Sequence, residues 1–469
     1  MDRKTNIIFV LIDDLGWRDL SCYGSTFYET PFIDALAKEG MRFTDGYAAC
    51  PVCSPSRASF LTGKYPARLK TTDWFGAGRG RGKMISAPYV DYLDTNEYNI
   101  AKAFRDNGYS TWHVGKWHLG KDEKYWPQNQ GFDVNIGGCG YGLPPNGYFS
   151  PWKIPTLTEG KDGDYLTDKL TDEAVNLINN RGEKPFFMYL AHYSVHTPIQ
   201  AKKKDIQYFE DKGKRLKLDQ IDPIVLGEMG NYDLIKDLRM QRRIVQSDPV
   251  YAAMIKNLDD NIGRLVSVLR ENNIYDDTVL VFTSDNGGLS TANITPTSNI
   301  PLSEGKGFVY DGGIREPLII RYPKRIKGGS ICEVPVTTPD FYPTLVELAG
   351  ILPITSQELD GVSIVPLFDG KNSLERDGIF WHYPHYAPTG SSPSCSVRSG
   401  NYKLIYFFEN HKYELYDLKN DISETYDISD GYPEIKNRLA EMLKDWLRDM
   451  DAVFPEINPE GESTASGGS

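Results

Sequence analysis

Long apolar runs are missing from this sequence of 469 residues. Its apolar stretches, such as residues 7–12 and 279–282, are far shorter than the roughly 20 residues that a membrane helix needs. No basic segment followed by an apolar segment precedes the first predicted strand, so we expect no signal peptide. The sequence therefore predicts no membrane span. It favours a cytoplasmic protein, or a periplasmic or secreted one whose export signal has been trimmed.

Positive charge is also in short supply. The chain has 52 lysines and arginines against 64 acidic residues, a formal net charge of -12 and a pI of about 5.2. A broad electrostatic surface for nucleic acid is therefore not expected. An anionic substrate would need a local positive pocket.

Cysteine is scarce, with six residues that form no zinc pattern and no dense disulfide framework. Two of them, Cys50 and Cys53, have the Cys-Pro-Val-Cys spacing of a redox motif. No thioredoxin-like strand precedes this pair, which leaves a redox role as the weaker interpretation.

The composition is that of a soluble globular protein, with 40% hydrophobic and 25% charged residues. The length exceeds the roughly 250 to 300 residues that one core supports, so we predict two domains. Residues 1–375 form the larger, catalytic one. Residues 376–469 form a smaller domain, in which aromatic alternating segments at 378–383, 402–408 and 413–418 predict an antiparallel sheet and 433–450 a terminal helix. The tail after about residue 459 is expected to be disordered.

Buried strands alternate with helices over most of the chain. Continuous apolar runs predict strands at 6–12, 110–114, 186–191 and 278–283, and helical periodicity predicts helices at 30–39, 99–106, 169–179 and 251–271. This order indicates an α/β fold with a large, mostly parallel sheet covered on both faces. The charge-rich segment 201–243 is interpreted as a surface excursion without chemistry.

Acidic and amide side chains follow two of these strands. Asp13 and Asp14 end the first strand, and Asp285 and Asn286 end the strand at 278–283. Ligands of such sheets bind beyond the carboxyl ends of the strands. The Asp13-Asp14 pair alone is typical of a helix cap, but two oxygen-rich strand ends together favour a site for Ca²⁺ or Mg²⁺.

Two sequence motifs make the interpretation specific. The first is Cys53-Ser54-Pro55-Ser56-Arg57 with Leu61-Thr62-Gly63 downstream, and the second spans residues 108–120 and contains Gly115-Lys116-Trp117-His118. Together they resemble the signatures of the type I sulfatases, the formylglycine-dependent branch of the alkaline phosphatase superfamily. The resemblance extends from residue 6 to about residue 427 and includes Val195-His196-Thr197-Pro198 and Glu304-Gly305-Lys306-Gly307.

The resemblance implies an alkaline-phosphatase-like sandwich with a smaller C-terminal sheet domain. It implies that a formylglycine-generating or radical maturation enzyme oxidises Cys53 to formylglycine (3-oxoalanine). A calcium ion would then be bound by Cys53 in this modified form and by the strand-end residues, namely Asp13, Asp14, Asp285 and Asn286. Arg57 would orient the hydrated aldehyde. The sulfate and the ester oxygen would be contacted by Lys116, His118, His196 and Lys306.

The family's mechanism needs these residue types. One hydroxyl of the formylglycine hydrate attacks sulfur, and the alcohol leaves with a proton from His196 or Lys306. The second hydroxyl then loses its proton and sulfate is expelled. Cations must gather the charge of a sulfate ester before an anion can attack it. We therefore expect an unconverted Cys53 to be nearly inactive.

Substrate specificity is predicted to lie between the two motifs. Asp73 could bond sugar hydroxyls and Trp74 could stack on a pyranose, although a surface loop around an ordinary buried tryptophan fits the same residues. His382, His385 and Arg398 from the smaller domain are candidates to complete that pocket.

The leading hypothesis is a carbohydrate sulfatase, because Asp285-Asn286-Gly287-Gly288 and Thr72-Asp73-Trp74-Phe75 look most like bacterial glycan sulfatases and animal hexosamine sulfatases. An arylsulfatase for aryl or steroid sulfates is the nearest alternative. A phosphomonoester or phosphonate hydrolase of the same superfamily and a non-catalytic glycan-binding protein stay open as further alternatives.

Overall fold

A central nine-stranded sheet organises the molecule, in a computed structural model that describes residues 5–352 and 357–460. Neighbouring strands run parallel except around one strand, Arg315–Arg321, which is antiparallel to both of its partners. The strands in spatial order are Ser330–Cys332, Met41–Tyr47, Arg315–Arg321, Thr278–Ser284, Asn6–Ile12, Phe186–Ala191, Ser110–Gly115 and Val134–Ile136, with Val336–Thr337 also beside Met41–Tyr47.

Helices cover both faces of this sheet. Alternate residues of the central strand face opposite cores: Ile8, Val10 and Ile12 point to one, and Ile7, Phe9 and Leu11 to the other. The helices on the first face are Pro31–Glu39, Leu166–Asn179, Lys203–Arg215 and Pro249–Glu271. Those on the second face are Cys53–Thr62, Ile100–Asp106, Phe341–Leu348 and Val365–Phe368. The prediction of a mostly parallel sheet covered on both faces is confirmed.

A smaller antiparallel sheet follows, with strands Ile379–Tyr383, Ser394–Ser399, Tyr402–Phe407 and Lys412–Asp417 in chain order. The terminal helix Pro433–Asp449 packs on it through Leu439, Leu443 and Trp446. This agrees with the predicted sheet and helix. A last short strand, Glu456–Ile457, pairs with Met84–Ile85 of the larger part. The predicted tail lies, from residue 461 on, outside the described residues.

The charge-rich segment that was interpreted as a surface excursion contains regular structure. It holds the helix Lys203–Arg215 and a hairpin of strands Ile224–Met229 and Arg239–Arg243. The second hairpin strand pairs with Thr291–Ala292, a few residues after the predicted ligand Asn286. The hairpin therefore stands beside the carboxyl edge of the central sheet. None of the helices in the described ranges is long and apolar enough to cross a membrane.

Candidate active site

Four neighbouring strands of the central sheet end at one place. Asp13 follows the strand Asn6–Ile12, Lys116 follows Ser110–Gly115, and Asp285 follows Thr278–Ser284. The backbone ties these ends together: the amide of Asp13 donates to the carbonyl of Ser194 (2.9 Å), and the amide of Lys116 donates to that of Ala191 (2.7 Å). The segment after Phe186–Ala191 carries His196 to the same edge.

The helix Cys53–Thr62 begins at this edge and is buried along its whole length. Cys53 is its first residue, and Arg57 lies one turn further on, so the two side chains share a face. Lys306 reaches Cys53 from the opposite side, with Nζ 4.0 Å from Sγ. The residue that the sulfatase resemblance marks as the nucleophile therefore lies close to the ammonium group of Lys306.

Three buried cations pair with three buried acids. Arg57 Nε donates to Asp285 Oδ2 (2.9 Å), and Arg57 Nη2 forms an ion pair with the same oxygen (2.7 Å). Lys116 Nζ lies 2.6 Å from Asp13 Oδ2, and Lys306 Nζ lies 2.6 Å from Asp14 Oδ1. All but Lys306 have side chains at most 4% exposed. The site therefore gathers three cations, each balanced by an acid, in a protein that is acidic overall.

The donor set fits a hard divalent cation. Ligand-type atoms of Asp13, Cys53 and Asp285 lie within 4.8 Å of one another, and so do those of Asp13, Asp14 and His196. Within the described ranges, Asp13 Oδ1 and Asn286 Oδ1 are buried without a hydrogen-bond partner. Buried polar atoms rarely stay unpaired, and carboxylate and amide oxygens are ligands that Ca²⁺ and Mg²⁺ prefer.

The pKa values of the buried acids also favour a bound cation at this site. Burial raises the pKa of Asp13 to about 8, because the Lys116 ammonium only partly offsets it and the nearby carboxylates of Asp285 and Asp14 add to it. Burial also acts against the charge on Asp14, but Lys306 and the other basic groups nearby together outweigh it and hold the pKa of Asp14 below its usual range. Asp13 is thus an acid that a further cation would ionise.

Both site histidines are neutral in this arrangement. Burial and the charge of Lys306 lower the pKa of His196 to about 3, and burial and Lys116 lower the pKa of His118 well below its usual value. His196 Nδ1 donates to the carbonyl of Thr197 (2.8 Å), which leaves a lone pair on Nε2, 3.6 Å from Asp14 Oδ2. His118 Nε2 donates to the carbonyl of Phe75 (3.2 Å).

Only part of the predicted specificity pocket comes together. Asp73 and His385 are neighbours, with His385 Nδ1 3.6 Å from Asp73 Oδ2, and Trp74 is beside them. His382 Nε2 instead donates to the Val453 carbonyl (2.8 Å), and its ring packs between Phe408 and Phe454.

Arg398 is also placed elsewhere. It pairs with Asp45 (2.6 Å) and with the hydroxyl of Tyr47 in the interface between the two sheets. The prediction that His382 and Arg398 complete a sugar pocket with Asp73 is therefore wrong. Both side chains are already used to pack and to link the smaller sheet.

Asn299 is a residue of the site that sequence reasoning missed. Its Nδ2 lies within hydrogen-bond distance of the carbonyls of Gly288 (2.9 Å), Glu304 (3.0 Å) and Gly312 (3.1 Å). It thereby joins the turn after Asn286 to the loop that carries Lys306. A lone asparagine in a loop gives no signal of this in the sequence.

Comparisons with known proteins agree with this geometry. The sulfatase family matches residues 5–351, and the family described as N-sulphoglucosamine sulphohydrolase, C-terminal, matches residues 305–451. A sulfatase of Formosa agariphila is 31% identical over 95% of this chain and 89% of its own length. N-acetylgalactosamine-6-sulfatase of Sus scrofa is 31% identical over 81% of this chain and 69% of its own.

A solved structure of Ps i-CgsB in complex with k-i-k-neocarrahexaose is 30% identical. It superposes with a TM-score of 0.77 and covers 95% of this chain and 93% of that one. The sulfatase family match extends over most of the chain and includes every strand end that forms the site. The smaller sheet lies outside this match. The chain belongs to the sulfatase family and is a sulfuric ester hydrolase.

Proposed function

We propose that this sulfatase releases inorganic sulfate from a sulfated carbohydrate, with a formylglycine made from Cys53 and a Ca²⁺ ion as its cofactors. The observation that carries the proposal is the meeting of Cys53, Arg57 and Lys306 with an oxygen-rich, partly unpaired ligand set at one sheet edge. A formylglycine-generating or radical maturation enzyme would supply the oxidation.

The metal would be held by Asp13, Asp14, Asp285 and Asn286, with Mg²⁺ as the alternative ion of the same ligand preference. When bound, such an ion polarises a sulfate S–O bond and offsets developing negative charge. The oxygen-only set and the unpaired Asn286 Oδ1 support calcium over softer metals.

Modification of Cys53 is supported by the state of its thiol. Burial raises the pKa of the Cys53 thiol, against the attraction of Lys116 and Lys306. A protonated thiol is a poor nucleophile, so the unmodified side chain lacks the reactivity that the site needs. A hydrated aldehyde at this position has hydroxyls to offer instead.

The surrounding side chains have separable tasks. Lys116 is fully buried and would hold an inner sulfate oxygen, whereas His196 is 13% exposed. Burial works against the charge of Lys306, but Asp14 and the other acidic groups nearby together outweigh it and raise the pKa of Lys306, so Lys306 keeps its proton and its charge at neutral pH. We assign the protonation of the leaving alcohol to Lys306, or to His196 once a bound anionic ester has raised its pKa and added a proton to Nε2, and the binding of the sulfate to Lys116 and His118.

The carbohydrate substrate is supported by the relatives. One is an N-acetylgalactosamine-6-sulfatase, another is a structure in complex with a neocarrahexaose, and the C-terminal family is described by an N-sulphoglucosamine substrate. Human arylsulfatase A, 27% identical over 99% of this chain, keeps an aryl sulfate substrate as the second candidate.

The test combines two measurements on one preparation. The mass of the peptide that spans Cys53 reports the conversion, and sulfate release is measured on a panel of sulfated monosaccharides and on 4-nitrophenyl sulfate. Cys53→Ala is the control for contaminating activity. A converted residue with sugar-selective release supports the proposal. Release from the aryl ester alone favours an arylsulfatase, and conversion without release from any substrate would overturn the proposal.

A further inference from the structure

An open cleft of about 440 Å³ is lined by Asp73 and Trp74, which directly precede Phe75, a contact of the site histidine His118. Three segments that are distant in the sequence form its walls: residues 73–80, residues 232–234 at the tip of the hairpin, and residues 386–388 of the smaller domain. Trp74 is half-buried along one wall. The cleft has the size of a small-molecule site rather than of a protein interface.

Both ends of the cleft are attached to the catalytic groups. Phe75, next to Trp74, donates its amide to Ser54 Oγ (3.1 Å) and accepts from His118 through its carbonyl (3.2 Å). On the other side, the loop after Tyr386 approaches the Lys306 loop so closely that a Cβ on Gly307 would lie 2.2 Å from Thr389 Oγ1. Two walls of the cleft are therefore continuous in the chain with segments that contact Ser54, His118 and Gly307.

The hairpin tip is fixed in place as a wall. The ring of Tyr232 stacks on that of Tyr386 with centroids 5.2 Å apart and an interplanar angle of 17°. Two hydrogen bonds join Asp233 to Arg81. The Asp233 amide donates to the Arg81 carbonyl (2.9 Å), and the Arg81 amide donates to Oδ1 of the Asp233 side chain (3.2 Å). Stacked rings and paired backbones hold the three segments together without a ligand.

The charge of the cleft sets it apart from the sulfate site. Its lining holds two carboxyl groups, Asp73 and Asp233, and one cation, Arg79, and burial raises the pKa of Asp73 well above its usual value. Arg79 already donates to the Ser86 carbonyl (2.8 Å) and pairs with Glu456 (3.2 Å). The cations near Cys53 attract anions. A second anionic group in the cleft would find no free cation among the described lining residues.

Asp73 provides a directed polar group. Its Oδ1 accepts from the Trp74 amide (2.9 Å) and from the hydroxyl of Tyr383 (3.0 Å). Both of these bonds go to Oδ1, whereas Oδ2 lies 3.6 Å from His385 Nδ1. An acceptor next to an indole is the combination that a pyranose recognises through one hydroxyl and one apolar face.

We infer that this cleft binds an uncharged pyranose unit of the substrate, and that the hairpin tip makes the enzyme select against a second anionic group at that position. The inference rests on the proposed carbohydrate substrate and extends it. Trp74 packs on the ring, Asp73 accepts from a hydroxyl, and Asp233 repels a further sulfate or carboxylate.

Two variants test the inference, with kcat/KM measured on the best monosulfated sugar of the panel, on the same sugar with a second sulfate, and on 4-nitrophenyl sulfate. Trp74→Ala should lower kcat/KM for the monosulfated sugar about tenfold more than for the aryl sulfate, and Trp74→Phe should restore most of the loss. Wild-type enzyme should prefer the monosulfated sugar, and Asp233→Asn should reduce that preference about threefold at low ionic strength.

A matched control is Tyr208→Ala. Tyr208 lies on the helix Lys203–Arg215, where its ring is exposed and its hydroxyl donates to Glu29. It should change neither preference, and melting curves of all variants exclude misfolding. The inference is overturned if Trp74→Ala leaves the ratio of sugar to aryl activity unchanged, or if the second sulfate raises kcat/KM in wild-type enzyme. A wild type that releases sulfate from no sugar would instead refute the proposed carbohydrate substrate.

Discussion

Replacing Arg57 with methionine tests the buried charge balance of the active site. Arg57 is fully buried and contacts Asp285 at 2.9 and 2.7 Å and Asp13 at 3.6 Å. Methionine fills a similar length with apolar atoms but removes the positive charge. Asp285 would then be a buried carboxylate without its cation.

The cost follows from the burial. Removing one partner of a buried ion pair destabilises a protein by about 3 to 5 kcal/mol. With an unfolding entropy of about 2.1 cal/mol/K per residue, a chain of 469 residues loses roughly 4 °C in Tm for 4 kcal/mol. An added divalent cation should recover part of this loss, since it returns positive charge to the same carboxylates.

The assay is thermal unfolding followed by circular dichroism, with chelator and then with millimolar CaCl2. Arg57→Met should melt about 4 °C below wild type in chelator and show a larger calcium-induced rise in Tm than wild type. Arg270→Met, which breaks the exposed pair with Glu39, is the matched control and should cost at most about 1 kcal/mol. An Arg57→Met protein as stable as wild type in chelator would refute the reasoning.

Further outcomes follow from individual residues. Cys53→Ala should keep the melting temperature within about 2 °C while sulfate release falls by at least about 10³-fold, and a residual rate near wild type would exclude a nucleophile at this position. Asn299→Ala should lower kcat about tenfold and change KM less, because it releases the loop of Lys306. Steady-state kinetics would measure both constants. Burial lowers the pKa of His382 to about 4. The unfolded chain therefore binds a proton between pH 6.5 and 4 that the folded chain does not, and stability falls as the pH drops through this window. Urea unfolding of His382→Gln should show up to about 3 kcal/mol less of this acid destabilisation than wild type. If the free energy of unfolding depends on pH as steeply in the variant as in wild type, His382 is not the group responsible.

Much of the central fold could be predicted from the sequence. The strands Asn6–Ile12 and Phe186–Ala191 have the predicted bounds, because continuous apolar runs of this length fit a sheet buried on both faces. The helix Pro249–Glu271 begins two residues before the predicted start, since Asp248 caps it by accepting from the amides of Val250 and Tyr251.

Other strands gave no such pattern. Arg315–Arg321 is buried although it begins and ends with arginine and contains Glu316. Arg315 pairs with Asp45 and Arg321 with Asp276, so the two arginine charges are compensated by residues far away in the sequence. Burial raises the pKa of Glu316 well above its usual value. Tertiary partners of this kind are invisible to a periodicity argument.

The site shows the same division. Strand ends bring Asp13, Lys116 and Asp285 together as the sheet order requires, and these could be expected from position alone. The cleft could not, because Tyr232 reaches it from a hairpin whose charged sequence resembles an ordinary surface. Its position depends on contacts with residues about 150 positions away along the chain, such as Arg81 and Tyr386.

The pairing of three acids with three cations has a consequence for turnover. With Asp13, Asp14 and Asp285 ionised, their charges cancel those of Arg57, Lys116 and Lys306, so a bound divalent ion leaves the pocket with an excess of two positive charges. Inorganic sulfate carries two negative charges, whereas a sulfate monoester carries one. The pocket therefore matches the product better than the substrate, and sulfate is expected to inhibit the enzyme competitively and to limit its rate as the reaction proceeds.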